Sequence, residues 1–196
     1  MVLEIVKYGH PVLRQPGARI ETVTPRIRTL ITDMLETMEA AHGVGLAAQQ
    51  IGEAVQLTVL DVRGVPDRPS TLTWEGQPAE LESHMPLVLI NPEIKPVAEP
   101  VAGPEGCLSF PEMYADIARP EAIEVSAWDG MGKPIRFACT GLLARAIQHE
   151  HDHLHGILFI DRMTSANKRE LQPELDVIQS ETKQQLAVNT RTARRS

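Results

Sequence analysis

The chain is short of the residues that would place it outside a reducing compartment. It has two cysteines, Cys107 and Cys139, in 196 residues, too few for the disulfide framework of a small secreted domain. Aromatic residues make up 4% of it, so the core has to be mostly aliphatic. No apolar run approaches the ~20 residues that cross a bilayer. The opening MVLEIVKYGHPVLRQ lacks a cationic start followed by an apolar stretch, so it does not read as a signal or transit peptide. A cytoplasmic protein without a membrane partner is expected. Positive charge is in deficit: the net charge is −7, which argues against nucleic-acid binding by the whole surface. Internal repeats are absent too.

The length suits one domain over residues 1–196, with 164–196 as a C-terminal helix and basic tail. Residues 25–41 carry Ile27, Leu30, Ile31, Met34, Leu35 and Met38 at helical spacing. Thr24 suits the N-cap, Pro25 the first turn and Gly43 the stop. VQLTVLDV (55–62) and PLVLINPEI (86–94) read as strands, and a strand around 95–101 is expected to pair with the latter. Residues 64–85 are rich in Pro, Gly and Ser and read as a surface loop. AIEVSAWDG and KPIRFACTG form a hairpin turning near Asp129-Gly130. Thr140 is placed to cap a helix from Gly141 to about His155, closed by Gly156. A last helix is expected over 165–185. Strands in the middle and helices at both ends, without a βαβ rhythm, predict an α+β fold. Mostly antiparallel strands would pack around a central helix at 141–155.

That helix contains QHEHDHLHG (148–156), with four histidines in two pairs spaced four apart: His149/His153 and His151/His155. A helix turns roughly 100° per residue. Leu142, Leu143, Ala146, Ile147 and Leu154 then share one arc, which is the predicted buried face. His149, Glu150 and His153 lie on it or beside it. His151 and His155 fall opposite, with Ala144 and Gln148, and are expected to face water. The inward trio reads H-E-x-x-H. Its spacing brings two imidazoles to one metal, and the carboxylate between them reaches the metal's water. An inward histidine satisfied within the core is the bland alternative.

Two histidines leave a third ligand to find, and Cys107 in EGCLSFP (105–111) is the candidate, in an irregular segment after Gly106. Cys139 sits in an apolar strand and reads as a small buried hydrophobe. GVGLAAQQ (43–50) lacks the preceding strand and third glycine of a dinucleotide loop.

GVGLAAQQ, EGCLS (105–109) and QHEHDHLHG, in this order and spacing, resemble the peptide deformylase family over most of the chain. The likeness thins in 64–85 and in the tail. It implies a hydrolase that removes the N-formyl group from the first methionine of nascent polypeptides and releases formate. It implies one divalent metal ion held by Cys107, His149 and His153, typically Fe2+, with Zn2+, Ni2+ or Co2+ able to occupy the site. Glu150 would be the general base. Gln50 and the backbone N–H of Leu108 would be the oxyanion donors, whereas Gln49 lies out of the motif's register. Val44, Gly45, Leu142, Arg145 and Ala146 would bind substrate, Arg145 lining the rim with its charge in water. Tyr114 stands where some relatives carry a basic residue. Glu105 and Asp152 are possible supporting carboxylates, and Arg119 could pair with Asp152 as readily as form a surface ion pair. A monomer is expected. A transient ribosome contact through the C-terminal segment would use Arg191, Arg194 and Arg195.

Two other readings share part of this pattern. A zinc endopeptidase has H-E-x-x-H but needs neither Cys107 nor Gln50. A structural metal protein, or an inactive relative serving as a binding module, would have a fourth protein ligand in place of water.

Overall fold

The computed structural model describes residues 1–193, with side chains as far as Asn189. Helix α1 spans Pro25–Ala40. Strands β1 (Gly45–Ala47) and β2 (Leu57–Leu60) follow, then β3 (Leu72–Trp74), β4 (Gln77–Ala79) and β5 (Leu87–Pro96). Next come β6 (Pro100–Cys107), β7 (Phe110–Pro120), β8 (Ala122–Trp128) and β9 (Pro134–Thr140). Helices α2 (Gly141–Leu154), α3 (Ser165–Glu170) and α4 (Gln172–Ala193) close the chain. The expected α+β fold of mostly antiparallel strands is what forms. Seven strands make one antiparallel sheet in the order β1-β2-β5-β8-β9-β3-β4, and β6 with β7 makes a separate hairpin.

The predicted α1 forms where its apolar stripe lies. Thr24 Oγ1 accepts from Ile27 N at 3.3 Å, and Gly43 N donates to Met38 O at 3.0 Å as the chain leaves the helix. Met34 and Met38 pack with Leu46, Leu57, Val59 and Ile90 of the sheet. Each side chain fully removed from water there contributes about 1.5–3 kcal/mol. A second cluster joins Leu60, Leu89, Ile123 and Phe137 of the sheet to Leu142, Leu143, Ala146 and Ile147 of α2. A third lies beneath the β6–β7 hairpin, where Phe110, Met113 and Ile117 meet Leu13, Phe159 and Leu175.

Helix α2 is therefore covered on nearly every side. From Leu142 to Leu154, every residue except His151 is buried. This corrects the expectation that Ala144 and Gln148 face water. Ala144 is sealed in the core, and Gln148 Nε2 donates to Pro120 O at 2.9 Å.

Three further expectations give way. Residues 64–85 are not a plain loop, because β3 and β4 extend the sheet and β3 pairs with β9. Trp74 stacks on Phe137 there at 5.2 Å. Three-residue strands are too short to show alternation, and β3 takes its second partner, β9, from far along the chain. The strand near 95–101 begins at Pro100 and pairs with β7 rather than β5; β8 holds one edge of β5 as far as Pro96, and β2 holds the other along Leu87–Ile90. The last helix is two helices parted at Leu171. Pro173, in the first turn of α4, has no N–H with which to carry the α3 ladder onward.

Candidate metal centre

The site forms where α2, the β6–β7 turn and the 3-10 turn Ala48–Ile51 converge. The N-terminus of α2 is held differently from the expectation. Thr140 makes no side-chain cap; its hydroxyl bonds that of Thr71 at 2.7 Å. The free N–H of Leu143 donates instead to Ser70 Oγ at 2.9 Å. A residue from the 64–85 stretch thus caps the helix.

His149 and His153 project from one face with ring centroids 5.1 Å apart. Cys107 is the last residue of β6, where the register shifts against β7. So the segment is irregular at Cys107 itself, with ordered strand on its N-terminal side. Cys107 Sγ lies 3.3 Å from His153 Nε2. The ligand atoms of Cys107, His149 and His153 all lie within 4.8 Å of one another. Two ligands sharing a tetrahedral ion through one sulfur and one nitrogen stand roughly 3.5 Å apart, so the spacing suits one ion. Among the described residues no fourth side chain of ligand type joins this cluster.

Glu150 sits against the cluster, buried, with Oε2 lacking any hydrogen-bond partner. Burial raises its pKa to about 7. Buried polar atoms are nearly always paired, so an orphaned carboxylate oxygen beside a thiol and two imidazoles fits a metal and its water. Gly45 makes room for it: an added Cβ would overlap Glu150 Oε1 and stand 2.9 Å from Cδ.

Behind the ligands lies a buried ion network. Glu105 Oε2 accepts from His149 Nδ1 at 3.0 Å, so that nitrogen carries the hydrogen and Nε2 is left for the ion. Glu105 also accepts from Arg119 at 2.7 Å and from Arg145 at 3.0 Å. Burial alone would raise its pKa, but the bonds from His149 and Arg119 outweigh it and bring it down to about 2. Arg119 donates to Asp152 at 2.7 Å, and Asp152 also accepts from Arg162. The Arg119–Asp152 pair foreseen in the sequence is thus formed, and it is buried rather than on the surface.

Gln50 is oriented by the backbone of Ala47. Its Oε1 accepts from Ala47 N at 2.8 Å, which turns Nε2 toward Cys107 Sγ at 3.6 Å and Ser109 Oγ at 3.4 Å. Gln49 Nε2 turns away to Gln15 O. Leu108 stands in the turn between β6 and β7, its carbonyl accepting from Lys7 Nζ at 2.8 Å. Val6 N and Tyr8 N donate to Gln50 O and Ser109 O. The N-terminal segment thus braces both donor-bearing turns. Nothing in its sequence signals this, since the bracing is done by backbone atoms and one lysine.

A cleft of about 490 Å³ opens over these groups, and Val44, Gly45, Gln50, Leu108, Leu142 and Arg145 are among its lining residues. Ala146 does not line it; it is buried in the cluster between α2 and the sheet. Arg145 departs furthest from expectation. Its guanidinium does not reach water but donates to Val101 O and Ile117 O, both at 2.7 Å, besides Glu105. Hairpin carbonyls and the Glu105 carboxylate are a stronger draw for a buried cation than an apolar rim. Tyr114 is exposed beside the cleft. Burial pushes the Cys139 thiol up to about 12, as an inert core residue requires.

Comparison with known proteins shows the family. Residues 2–169 match the Polypeptide deformylase family. The peptide deformylase of Methylacidiphilum infernorum is 44% identical over 178 residues, 91% of this chain and 93% of that one. That of Opitutus terrae is 43% identical over 193 residues, 96% of this chain and 99% of that one. Among solved structures, Arabidopsis thaliana peptide deformylase 1B in complex with an inhibitor superposes with a TM-score of 0.79 at 35% identity, covering 93% of each chain. A Synechococcus elongatus peptide deformylase in complex with actinonin gives 0.72 at 39% identity, covering 92% of this chain and 85% of that one. The likeness runs along nearly the whole chain, and the matched residues 2–169 span the segments that carry the thiol, the imidazoles and the unpaired carboxylate. This protein therefore belongs to the polypeptide deformylase family, metal-dependent hydrolases that remove the N-formyl group from newly made polypeptides.

Proposed function

We propose that Cys107, His149 and His153 hold the divalent ion of this deformylase, that Glu150 moves the proton, and that Gln50 and the Leu108 N–H receive the developing negative charge. The observation that carries this reading is the convergence of three ligand atoms within 4.8 Å beside the orphaned Oε2 of Glu150. When bound, the ion supplies Lewis acidity and lowers the pKa of water toward ~7, so that hydrolysis proceeds at neutral pH. Fe2+ is our assignment, and a thiolate with two imidazoles also accepts Zn2+, Ni2+ or Co2+.

Glu150 takes the proton of the attacking water at Oε2 and returns it to the departing amine. The formyl carbon gains an oxygen, the C–N bond breaks, and formate and a free N-terminus leave. Gln50 Nε2 and Leu108 N–H donate to the formyl oxygen as it becomes anionic, and one such donor is worth about 3 kcal/mol. Val44, Gly45 and Leu142 line the space for the methionine side chain. Arg145 contributes its stem while its charge is engaged by β6 and Glu105. Ala146 supports this wall from behind.

The chain is read as a single catalytic domain, 1–196, acting as a monomer, with 164–196 appended. A substrate that exists only as a nascent chain implies a cytoplasmic place of work. A transient ribosome contact through Arg191, Arg194 and Arg195 is part of the proposal; the side chains of all three lie outside the described residues. No described helix is long and apolar enough to cross a membrane.

The test is formate release from a formyl-Met tripeptide by protein purified without oxygen, with metal content assayed on the same sample and Glu150→Ala as control. One ion per chain in the catalytic site and at least a ~100-fold loss in the variant are expected. Bound metal without formate release, even after loading with Fe2+, would overturn the assignment.

A further inference from the structure

Helix α2 carries a second histidine pair that the deformylase site does not use. His151 and His155 stand one turn apart with ring centroids 4.3 Å apart, and neither lines the cleft. His151 is the one residue between Leu142 and Leu154 that is not buried, and His155 is exposed. His155 Nδ1 lies 2.8 Å from the carbonyl oxygen of His151. A carbonyl accepts and cannot donate, so Nδ1 carries the hydrogen and Nε2 presents a lone pair. Metal-binding histidines are typically held in this way, with one ring N–H on a carbonyl or carboxylate and the other nitrogen on the ion. The ring nitrogens of His151 have no hydrogen-bond partner among the described residues, and its ring lies against that of His155. Both rings also sit at the C-terminal end of α2, where unsatisfied carbonyls make the helix end partly negative and favour a cation.

We propose that His151 and His155 form a second, surface-facing site for a borderline divalent transition ion of the Zn2+, Ni2+ or Cu2+ class, with water completing the shell. Imidazole nitrogen suits these ions, whereas Mg2+ and Ca2+ require oxygen ligands. The nearby carboxylate of Asp152 is occupied by Arg119 and Arg162, so the chelate is a neutral pair of nitrogens. It is weaker than a thiolate with two imidazoles and fills after the cleft. The two histidines are neighbours because the chain is helical, so the ion binds folded protein and stabilises the turn that follows His149 and His153.

The test is equilibrium dialysis of enzyme already holding one equivalent of Zn2+ against rising free Zn2+ at neutral pH, for the native chain, His151→Ala and His155→Ala. The native chain should take up a second saturable equivalent, and each variant should bind it at least about tenfold more weakly. The cleft ion and formate release should be unchanged in both variants. Because His155 is exposed, its replacement carries the test if His151→Ala disturbs the helix. Saturation of the native chain at one equivalent, or a second equivalent retained at native affinity in the His155 variant, would overturn the site.

Discussion

Gly45 shows how much of the chemistry rests on single residues. A Cβ at this position would overlap Glu150 Oε1, and the carboxylate is boxed in by its own burial. Gly45→Ala should therefore turn Glu150 away from the position in which it meets water. A displacement of about 1 Å costs on the order of 100-fold in rate. That loss should appear in kcat while metal content stays at the native value; unchanged kcat would mean that Glu150 adapts. At this scale the sequence was informative. The helical phase that separates His149, Glu150 and His153 from His151 and His155 follows from the rotation of a helix per residue, and the structure keeps that separation. Arg145 was not legible, because the carbonyls that hold it, at Ile117 and Val101, lie 28 and 44 residues earlier.

At the scale of elements, the best-read segments make their signal within themselves. Helix α1 has its stripe and its Thr24 cap, and the β8–β9 hairpin has its turn at Asp129-Gly130. The N-terminus of α2 depends instead on Ser70. Ser70→Ala should destabilise the protein by about 1 kcal/mol, the usual worth of a cap, as read from urea unfolding. A second prediction concerns the 3-10 turn Phe159–Asp161 that follows α2. Asp161 Oδ2 accepts from Leu158 N at 2.9 Å, and the carboxylate pairs with Arg14. Burial opposes its ionisation, but the bonds from Arg14 and Leu158 prevail and hold its pKa below 3.8. A carboxylate whose folded pKa is depressed stabilises the protein fully above its unfolded pKa. That contribution is lost as pH falls through the folded value. Asp161→Asn should therefore be less stable at neutral pH and lose less stability than the native chain on acidification below about pH 4. Parallel stability curves for the two proteins would contradict this.

At the scale of the whole molecule, one buried network ties the β6–β7 hairpin to α2 and to the segment after it. Arg119 bridges Glu105 on β6 and Asp152 on α2, and Arg162 closes the chain of charges beyond the helix. Arg119→Leu would take the shared cation from two buried carboxylates, leaving Glu105 to His149 and Arg145 and Asp152 to Arg162 alone. Breaking such a network by removing one partner typically costs about 3–5 kcal/mol, so thermal unfolding should move sharply lower. Because Glu105 holds His149 Nδ1, the same variant should also bind metal more weakly. A variant of native stability would show that the carboxylates find other partners.

The sequence by itself determined the elements and residues whose signal is local: the apolar period of α1, the hairpin at β8–β9, and the H-E-x-x-H phase of α2. It also carried the three motifs by which the family was legible. Tertiary structure decided what depends on neighbours distant in the chain. It drew 64–85 into the sheet, paired β6 with β7 rather than β5, buried Ala144 and Gln148, and turned Arg145 inward. The physical reason is the same in each case: a hydrogen bond or a covered face belongs to two segments at once, and a single stretch of sequence records only its own half.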